Sequence, residues 1–494
     1  MRLEQLLKSL DVEQVYPQGE DFYVKGISCD SQTVLDDFIF VAVKGANHDG
    51  HNFIDEAITR GARAIIVHSS CLAGRQAQSI DDSCKKVIFI KVKDTRKAIA
   101  KLAVEFYGNP SQKMKVVGIT GTNGKTTIAY LIEALLKQAG RACAVIGTVN
   151  HRFDGKIILS KNTTPGPQEL QAMLKEIAGQ GIGYAVMEVS SHALDQDRTL
   201  GINFHTAVFT NLTQDHLDYH QNMENYFRAK SKLFEGILSD SFAVINNDDE
   251  YGRMMQKLTK AKVVTYGIKN NSRVLAKNLE FGFSRTEFIL EINGQKTRIK
   301  TPLIGRHNIY NILAAVSWAL NEGMELSVIT PAIEKFDSVP GRLERIDTKR
   351  DFFVFVDYAH TEDALKNAIN AVREISKERI IVVFGCGGER DRTKRPKMGR
   401  IVSELADYAV ITNDNPRSED PHSIINDIER GITKKNYSVI PDRREAIEKS
   451  LELARSGDVV LVAGKGHENY QVLKSQIIRF DDREVVRECL KQKS

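Results

Sequence analysis

The sequence has 494 residues, which is too long for one hydrophobic core, and its length predicts about three domains. Hydrophobic residues make up 42% and charged residues 27%, so a largely disordered chain is excluded. The formal charge of +5 is small for this length. It suits anionic small ligands and does not indicate a nucleic-acid-binding surface.

The N-terminal sequence and the spacing of the cysteines both indicate a protein of a reducing compartment. The first residues, MRLEQLLKSLDVEQ, lack the apolar core of a signal peptide, and no apolar run approaches membrane-spanning length. The cysteines include no Cys-x-x-Cys pair, which argues against a zinc site or a disulfide framework. They are Cys29, Cys71, Cys84, Cys143, Cys386 and Cys489. We therefore expect a cytoplasmic protein that does not insert into a membrane.

Short runs rich in β-branched residues alternate with amphipathic segments along most of the chain. Runs of this kind, apolar on both faces, predict an α/β protein with mainly parallel sheets covered by helices. The runs are 64–67, 87–92, 116–120, 184–189, 207–212, 242–247, 353–358, 379–385 and 458–464.

Two segments rich in Pro and Gly divide this pattern. YGNPS at 107–111 precedes one strand-and-helix series, and SVPGR at 338–342 precedes another. We therefore predict an N-terminal domain at 1–109, a central domain at 110–338 and a C-terminal domain at 339–494.

The segment ITGTNGKTT at 119–127 comes directly after the apolar run at 114–118 and overlaps the end of the strand predicted at 116–120. A helical pattern of apolar residues comes after it, with Gly140 at the expected C-terminal cap. The apolar positions are Ile128, Leu131, Ile132, Leu135 and Leu136. A glycine-rich loop between a strand and a helix N-terminus is the context that a phosphate-binding loop requires.

The loop is a variant, because Ile119 stands where the strict Walker pattern has glycine. Gly121 and Gly124 still allow close backbone approach to phosphate oxygens. Lys125 would neutralise the β- and γ-phosphates, and the Thr126 hydroxyl would reach Mg²⁺. The alternative is a glycine-rich turn that contains a lysine by chance, but the strand-and-helix context favours nucleotide binding.

Three later segments carry charged residues suited to a metal and phosphate centre: 187–192 with Glu188, 210–220 with His216, and 226–234 with Lys230. Ligands of doubly wound sheets sit at the carboxyl ends of strands, where the first two segments belong. A carboxylate and an imidazole beside phosphates suit Mg²⁺. Each residue also has an ordinary alternative, as a helix-start carboxylate, a loop residue or half of a surface ion pair.

Several segments together resemble the muramyl ligase family and occur in the family's order along nearly the whole chain. The segments are GTNGKTT (121–127), NTTPG (162–166), EVSSHALDQDR (188–198), TNLTQDHLDYH (210–220), YFRAKSKLF (226–234), GRHNIYN (305–311), PGRLE (340–344), DYAHT (357–361) and DNPR (414–417). Residues 29–51 also resemble the family's uridine-binding segment.

The resemblance implies an ATP-dependent acid–amino-acid ligase of three domains. The N-terminal domain would bind a UDP-sugar peptide, the central phosphate-loop domain ATP, and the Rossmann-like C-terminal domain the incoming amino acid. The implied UDP-substrate residues are Ser31, Thr163, Thr164, Ser190, Gln196 and Arg198. The implied ATP residues are Gly121, Thr122, Asn123, Gly124, Lys125, Thr126, Thr127, Asn308, Arg342 and Asp357.

The resemblance further implies two Mg²⁺ ions and a lysine carbamylated by CO₂. Lys230 matches that lysine, and its carbamate would be a carboxylate able to bind Mg²⁺. The implied catalytic residues are Lys125, Glu188, His216 and Lys230. The implied metal ligands are Thr126, Glu188, His216 and Lys230.

Within the family, DNPR resembles the sequence of members that add meso-diaminopimelate to UDP-MurNAc-L-Ala-D-Glu in peptidoglycan precursor synthesis. A guanidinium can grip the second carboxylate of diaminopimelate, which lysine lacks. The implied amino-acid residues are Arg390, Asp414, Asn415, Pro416, Arg417, Gly464 and Glu468. From the pattern alone, an Asn-Pro turn with a solvated arginine is the alternative. A lysine-adding ligase and a regulatory ATPase are the competing functions.

Two positions depart from the family's usual pattern. Gln32 stands where members usually have Arg, and Glu362 where they usually have Pro. The first leaves the UDP-phosphate contact open, whereas a Glu at a helix start is favourable. We interpret the basic run 390–397 as a solvated active-site loop, since acidic residues interrupt it and it has no aromatic residue. We expect a monomer.

Overall fold

The computed structural model describes residues 1–17, 20–45, 48–70, 87–474 and 476–492. Within these ranges no helix is long and apolar enough to cross a membrane. The described cysteines are all free thiols: Cys29, Cys143, Cys386 and Cys489. Cys71 and Cys84, together with Ala46 and Asn47 of the predicted uridine-binding segment, lie outside the described residues.

The first sheet is formed by residues near the N-terminus and has the order β1-β5-β4-β3-β2. β1 is antiparallel to β5, and the other neighbours are parallel. Its strands are β1 (Val12–Tyr16), β2 (Gly26–Ser28), β3 (Phe38–Val41), β4 (Ala62–His68) and β5 (Ile88–Val92). Its helices are α1 (Leu3–Leu7), α2 (Ile54–Thr59) and α3 (Thr95–Phe106).

The second sheet, of 11 strands, is the largest. Its strands are β6 (Lys115–Thr120), β7 (Cys143–Ile146), β8 (Asn150–Phe153), β9 (Lys156–Leu159), β10 (Tyr184–Glu188), β11 (Phe204–Phe209), β12 (Phe242–Asn246), β13 (Lys262–Gly267), β14 (Val274–Phe281), β15 (Thr286–Ile292) and β16 (Gln295–Thr301). Its helices are α4 (Lys125–Gln138), α5 (Pro167–Gly179), α6 (Ser191–Asp195), α7 (Leu217–His220), α8 (Met223–Glu235), α9 (Glu250–Met255), α10 (Arg306–Asn321) and α11 (Leu326–Glu334).

This sheet has the order β16-β15-β14-β13-β12-β11-β6-β10-β7-β8-β9. The strands from β14 to β7 are parallel, and an antiparallel arm extends each edge. β6 lies between β10 and β11, so the loops that follow these three strands meet at one edge of the sheet. Ligands of such sheets bind at this edge.

The third sheet has the order β17-β18-β22-β19-β20-β21 and is parallel except for β17. Its strands are β17 (Glu344–Ile346), β18 (Phe353–Asp357), β19 (Ile380–Phe384), β20 (Tyr408–Ile411), β21 (Tyr437–Val439) and β22 (Val459–Ala463). A hairpin of β23 (Tyr470–Leu473) and β24 (Gln476–Arg479) follows. The helices are α12 (Glu362–Ile375), α13 (Lys394–Leu405), α14 (Pro421–Glu429), α15 (Arg443–Leu453) and α16 (Asp482–Gln492).

Each sheet has a buried apolar cluster on both faces. In the second sheet, Val117 and Val186 pack with α4 and α10 on one face, and Val116 and Ala185 pack with α5 on the other. The third sheet likewise separates two clusters. This burial explains why the strands read as continuous apolar runs, and it confirms the predicted α/β fold of mainly parallel sheets. All nine predicted runs overlap strands.

The interpretation of 390–397 as a loop is wrong for its second half, because α13 begins at Lys394. Arg395 is fully buried and paired with Glu419 and Asp427 at 3.0 Å each, which anchors the first helical turn. Pro396 also lies in this turn, where its missing N–H has no intrahelical partner to lose.

Candidate active site

A cavity of about 1080 Å³ lies between the carboxyl ends of the second and third sheets. One part of its wall includes Thr148, Ser190 and His216 from the second sheet, and the opposite part includes Arg417 and Glu468 from the third. The arrangement therefore brings together loops that are up to several hundred residues apart in sequence.

The phosphate loop follows β6 and needs glycine at two positions. Gly121 has φ +144°, and a Cβ there would lie 1.8 Å from Thr210 Oγ1. Gly124 has φ +91°, and a Cβ there would lie 2.3 Å from Asn311 Oδ1. Both positions would be strained and crowded with any other residue. Thr210, just after β11, and Asn311, in α10, therefore lie against the loop where only glycine leaves room for them.

Two lysines converge on this loop. Lys125 Nζ donates to the carbonyl oxygens of Gly121 at 2.9 Å and Thr122 at 2.8 Å, and Lys230 Nζ donates to Gly121 O at 2.9 Å. Burial lowers the pKa of both amines, and the charge of Lys125 lowers that of Lys230 further. The structure thus places Lys230, from α8, beside the phosphate loop. Two like charges held this close favour a neutral amine on one of them.

Glu188 is the last residue of β10, and its carboxylate accepts a hydrogen bond from the first turn of α4. Its Oε2 accepts from the hydroxyls of Thr126 at 3.0 Å and Thr148 at 2.9 Å, and its Oε1 accepts from the Thr148 backbone N–H at 2.8 Å. Arg342 Nη2, from the third-sheet side, donates to Thr126 Oγ1 at 3.2 Å. Thr127 follows, buried in the first turn of α4. Glu188 is therefore not a helix-start carboxylate.

His216 lies in the loop after β11 with φ +54°, and its Nε2 is 3.3 Å from Asp215 Oδ2. Burial lowers the pKa of His216 to about 4 against the opposing charge of Asp215, and the charges of His192 and Lys125 act in the same direction as burial. A neutral imidazole has a lone pair for a metal. His216 is therefore better suited to binding a metal ion than to neutralising the negative charge of a phosphate.

The predicted magnesium donors come from separate elements. No group of three or more His, Cys, Asp or Glu side chains that could hold a metal is found in the described ranges. Thr126, Glu188 and His216 instead supply one hydroxyl, one carboxylate and one imidazole near the phosphate loop. Such a sparse oxygen-rich set fits Mg²⁺, which takes many of its ligands from phosphates and water.

Most of the residues predicted to hold the UDP-sugar peptide lie together and are joined by hydrogen bonds. Ser31 lies elsewhere, in the first-sheet domain. Arg198 donates to Thr164 O at 3.1 Å and to Gln196 Oε1 at 2.7 Å. The Ser190 backbone N–H donates to Thr164 Oγ1 at 3.0 Å. The hydroxyl of Thr163 contacts that of Thr148 at 3.0 Å, and Thr164 Oγ1 donates to Glu188 O at 2.8 Å.

Ser31 lies in the first-sheet domain and is buried, donating to Glu56 Oε2 at 2.8 Å. Near it, Arg60 Nη1 donates to the carbonyl oxygen of Gln32 at 3.4 Å. Although position 32 carries no cation, the guanidinium group of Arg60, at the C-terminal end of α2, therefore lies beside it. A thiol–amide contact of Cys29 with Gln168 joins this loop to α5.

Asn308, Asp357 and Arg342 lie where the second and third sheets meet. Asn308 is buried and donates to Ile304 O at 2.9 Å, whereas Asn311 Oδ1 lies close to Gly124 of the phosphate loop. Asp357 ends β18; burial raises its pKa, and the charge of Arg342 opposes this. The predicted helix start at Glu362 is confirmed, with Thr361 as its N-cap.

Asp363, in the first turn of α12, is a site residue that the sequence did not reveal. Its Oδ2 accepts from Asn123 Nδ2 of the phosphate loop at 2.9 Å and from Thr213 Oγ1 at 3.0 Å. The third-sheet domain therefore contacts the phosphate loop directly.

The loop after β20 presents Arg417 in a strained conformation. Arg417 has φ +53°, and its Nη1 donates to Gly388 O at 2.7 Å. Pro416, just before it, is buried with its carbonyl against Gly388. Arg390 is exposed and lines the same cavity. The structure therefore brings both predicted carboxylate-binding guanidinium groups to one end of the cavity.

Two carboxylates lie at this end as well. Gly464 has φ +120°, and a Cβ there would lie 2.7 Å from Asp414 Oδ2. Glu468 Oε2 accepts from Asn415 Nδ2 at 2.9 Å. Tyr470, which sequence reasoning missed, lies among these groups: burial raises its pKa, the charges of Glu468 and Asp414 raise it further, and nearby arginines oppose them. Two arginines and two carboxylates thus surround one phenol.

Comparisons with known proteins identify the family of the chain. Family models match in chain order: Mur ligase family, catalytic domain (23–107), Mur ligase middle domain (119–319), and Mur ligase, glutamate ligase domain (341–466). An α/β chain with three such domains around a phosphate loop has the architecture of an ATP-dependent ligase.

A relative from Clostridium tetani, named UDP-N-acetylmuramoyl-L-alanyl-D-glutamate–2,6-diaminopimelate ligase, is 42% identical over 494 residues, which is 100% of both chains. A relative of the same name from Syntrophomonas wolfei is 44% identical over 498 aligned positions, again 100% of both. A solved structure of a ligase with this name has a TM-score of 0.67 and 31% identity, covering 99% of each chain. The chain belongs to the Mur ligase family.

Proposed function

We propose that this ligase uses ATP to join meso-2,6-diaminopimelate to the D-Glu γ-carboxylate of UDP-MurNAc-L-Ala-D-Glu, in cytoplasmic peptidoglycan precursor synthesis. The observation that carries the proposal is the cavity of about 1080 Å³, which His216, Arg198 and Asp363 line on one side and Arg417, Asp414 and Glu468 on the other. The name shared by the full-length relatives supports the same substrates.

Each domain has its own part in binding the three substrates. Residues 1–109 bind the UDP end, residues 110–338 bind ATP and the muramoyl peptide, and residues 339–494 bind the amino acid. The contact of Asp363 with the phosphate loop supports closure of the last domain over the nucleotide. Closure would keep water from a reactive intermediate.

The first chemical step activates the carboxylate. An oxygen of the γ-carboxylate attacks the γ-phosphorus of ATP, the bond to the bridging oxygen breaks, and ADP leaves, giving an acyl phosphate. Two anions must meet, so cations are needed; Lys125 lies in the phosphate loop, and Arg198 borders the cavity. The rest of the task is positioning, by Thr164 and Ser190.

Magnesium ions, held by Thr126, Glu188, His216 and a carbamate on Lys230, would supply charge neutralisation at the phosphates. The lowered pKa of Lys230 supports the carbamate, because only the neutral amine adds CO₂. In that addition a nitrogen–carbon bond forms and a proton leaves. The product replaces a cation beside Lys125 with an anion, which removes the repulsion between the two side chains.

The second step forms the peptide bond. The free amine of the amino acid attacks the acyl carbon, the tetrahedral intermediate expels phosphate, and the nitrogen releases a proton to give the amide. At the far end of the amino acid, Arg417 and Arg390 would bind its second carboxylate, while Asp414 and Glu468 would bind its second ammonium group. Lysine offers this end an ammonium group but no carboxylate, so two guanidinium groups would be left without their anion.

The test is phosphate release from ATP by the purified protein with Mg²⁺ and UDP-MurNAc-L-Ala-D-Glu. We expect release with meso-diaminopimelate and little with L-lysine. A preference for lysine would assign the chain to lysine-adding ligases. Equal ATP hydrolysis with no amino acid present would instead indicate a regulatory ATPase.

A further inference from the structure

Lys465 is a fully buried cation beneath the amino-acid end of the cavity. It follows β22 and lies between Gly464 and Glu468 in sequence. Its Nζ is 3.2 Å from Glu468 Oε2 and 3.2 Å from Asn415 Oδ1, and 5.6 Å from the centre of the Tyr470 ring. A buried ammonium group is strongly destabilising unless an anion compensates it. Lys465 therefore requires Glu468 to be a carboxylate.

Asn415 extends this contact. Its Oδ1 accepts from Lys465 Nζ and from the backbone N–H of Val472 at 3.0 Å, while its Nδ2 donates to Glu468 Oε2 at 2.9 Å. The amide is thereby fixed from both sides. Two donors hold Glu468 Oε2, whereas no residue in the described ranges donates to Oε1. One oxygen is anchored and the other is left for a ligand.

Asp414 is the second carboxylate at this end of the cavity, beside Glu468. It is buried, it lines the same cavity, and its side chain accepts no hydrogen bond from the described part of the chain. Arg443, paired with Asp482 at 2.7 Å with both side chains fully buried, donates to the carbonyl oxygens of Asn413 and Ala463. These carbonyls belong to the residues just before Asp414 and Gly464. The backbone of both loops is therefore held independently of Lys465.

We propose that Lys465 is a positioning residue that fixes the rotamer and the charge of Glu468, so that its free oxygen receives the side-chain ammonium group of the incoming diamino acid. Lys465 has no exposed surface, so it acts through Glu468 and does not touch the substrate. The inference rests on the proposed function, which assigns Glu468 to that ammonium group.

The groups around Glu468 determine the direction in which loss of Lys465 changes the pKa of Glu468. Burial raises the pKa of Glu468, and Lys465 lowers it. The titratable and charged groups around Glu468 include Lys465, Asp414, Arg443, Tyr358 and Tyr470, and Arg417 and Arg390 lie at the same end of the cavity. Asp414 acts with burial, and Arg443 is already paired with Asp482. Without Lys465, Glu468 should be protonated at low pH and regain its charge as the pH rises.

The experiment compares Lys465→Met with wild-type holoenzyme in steady-state assays from about pH 6 to pH 8.5. The expected result is a KM for meso-diaminopimelate that is raised about tenfold or more near pH 6 and approaches the wild-type value as the pH rises, since one pKa unit changes ionisation tenfold. The KM for ATP should not change. Lys449→Met is the matched control, because Lys449 pairs with Glu452 at the same i,i+3 spacing but on an exposed face.

A merely structural Lys465 would give a lower melting temperature and lower kcat with an unchanged, pH-independent KM, and that result overturns the proposal. If Lys465→Met does not fold, the double variant with Glu468→Gln removes the unpaired buried carboxylate. Its KM should be pH-independent and equal to that of Glu468→Gln alone; a further increase above that single variant also overturns the proposal. Failure of the proposed function itself would be distinct, because wild-type protein would then show no turnover with meso-diaminopimelate.

Discussion

Replacement of Arg417 by Met tests the predicted grip on the second carboxylate of the amino acid. The backbone of Arg417 is fixed from both sides, because its N–H donates to Val472 O at 3.1 Å and its carbonyl accepts from Lys474 at 2.8 Å. Methionine keeps an unbranched side chain and loses only the guanidinium. The perturbation should therefore leave the loop in place.

The magnitude follows from the contacts. One guanidinium nitrogen of Arg417 is used by Gly388 O at 2.7 Å, and the side chain is partly buried in the cavity wall. Hydrogen bonds to charged groups contribute about 1.5–3 kcal/mol each, and the loss of a partly screened pair should cost about 2–3 kcal/mol. That cost corresponds to a decrease of about 30- to 150-fold in kcat/KM for meso-diaminopimelate.

The assay is amino-acid-dependent phosphate release with meso-diaminopimelate and with L-lysine, for wild type and Arg417→Met. Activity with lysine should change by less than about threefold, since lysine has no second carboxylate. Arg400→Met is the control, because Arg400 is exposed on α13 and pairs with Glu404. An equal loss with both amino acids, or no loss with diaminopimelate, would refute the role of Arg417.

Two further predictions concern the phosphate loop. Gly121→Ala should abolish ATP binding, measured by calorimetry, because its Cβ would lie 1.8 Å from Thr210 Oγ1; Gly140→Ala also has a positive φ but meets nothing within 4 Å, and should bind ATP normally. Intact mass spectrometry of active protein should show one added CO₂ on Lys230, and Lys230→Ala should lose at least about 100-fold in kcat with partial rescue by short carboxylic acids. Lys232→Ala, two residues away and partly exposed, should keep its activity; an unmodified Lys230 in active enzyme would contradict the carbamate.

Features that depend on residues close together in the sequence, such as the strands and the phosphate loop, could be predicted from the sequence. The strands were visible as apolar runs because both faces of each sheet are buried. The phosphate loop was visible because its glycines and Lys125 lie within one short segment between a strand and a helix.

Residues that reach the site from distant segments were not visible. Asn311 touches Gly124, and Asp363 bonds to Asn123 across 240 positions of sequence. Thr148 and Tyr470 lie in unremarkable local sequence, and only the packing of the sheets places them beside Glu188 and Glu468. The spacing of residues along the sequence does not predict such contacts, because the packing of the domains against each other determines which distant residues meet.

The predicted order of chemistry can be followed with an isotope. UDP-MurNAc-L-Ala-D-Glu carrying ¹⁸O in its γ-carboxylate is incubated with ATP, Mg²⁺ and meso-diaminopimelate, and the released phosphate is analysed by mass spectrometry. An acyl phosphate transfers one carboxylate oxygen to phosphorus, so the account predicts one ¹⁸O in each phosphate for each peptide bond formed. Unlabelled phosphate, released at the same rate without diaminopimelate, would contradict it.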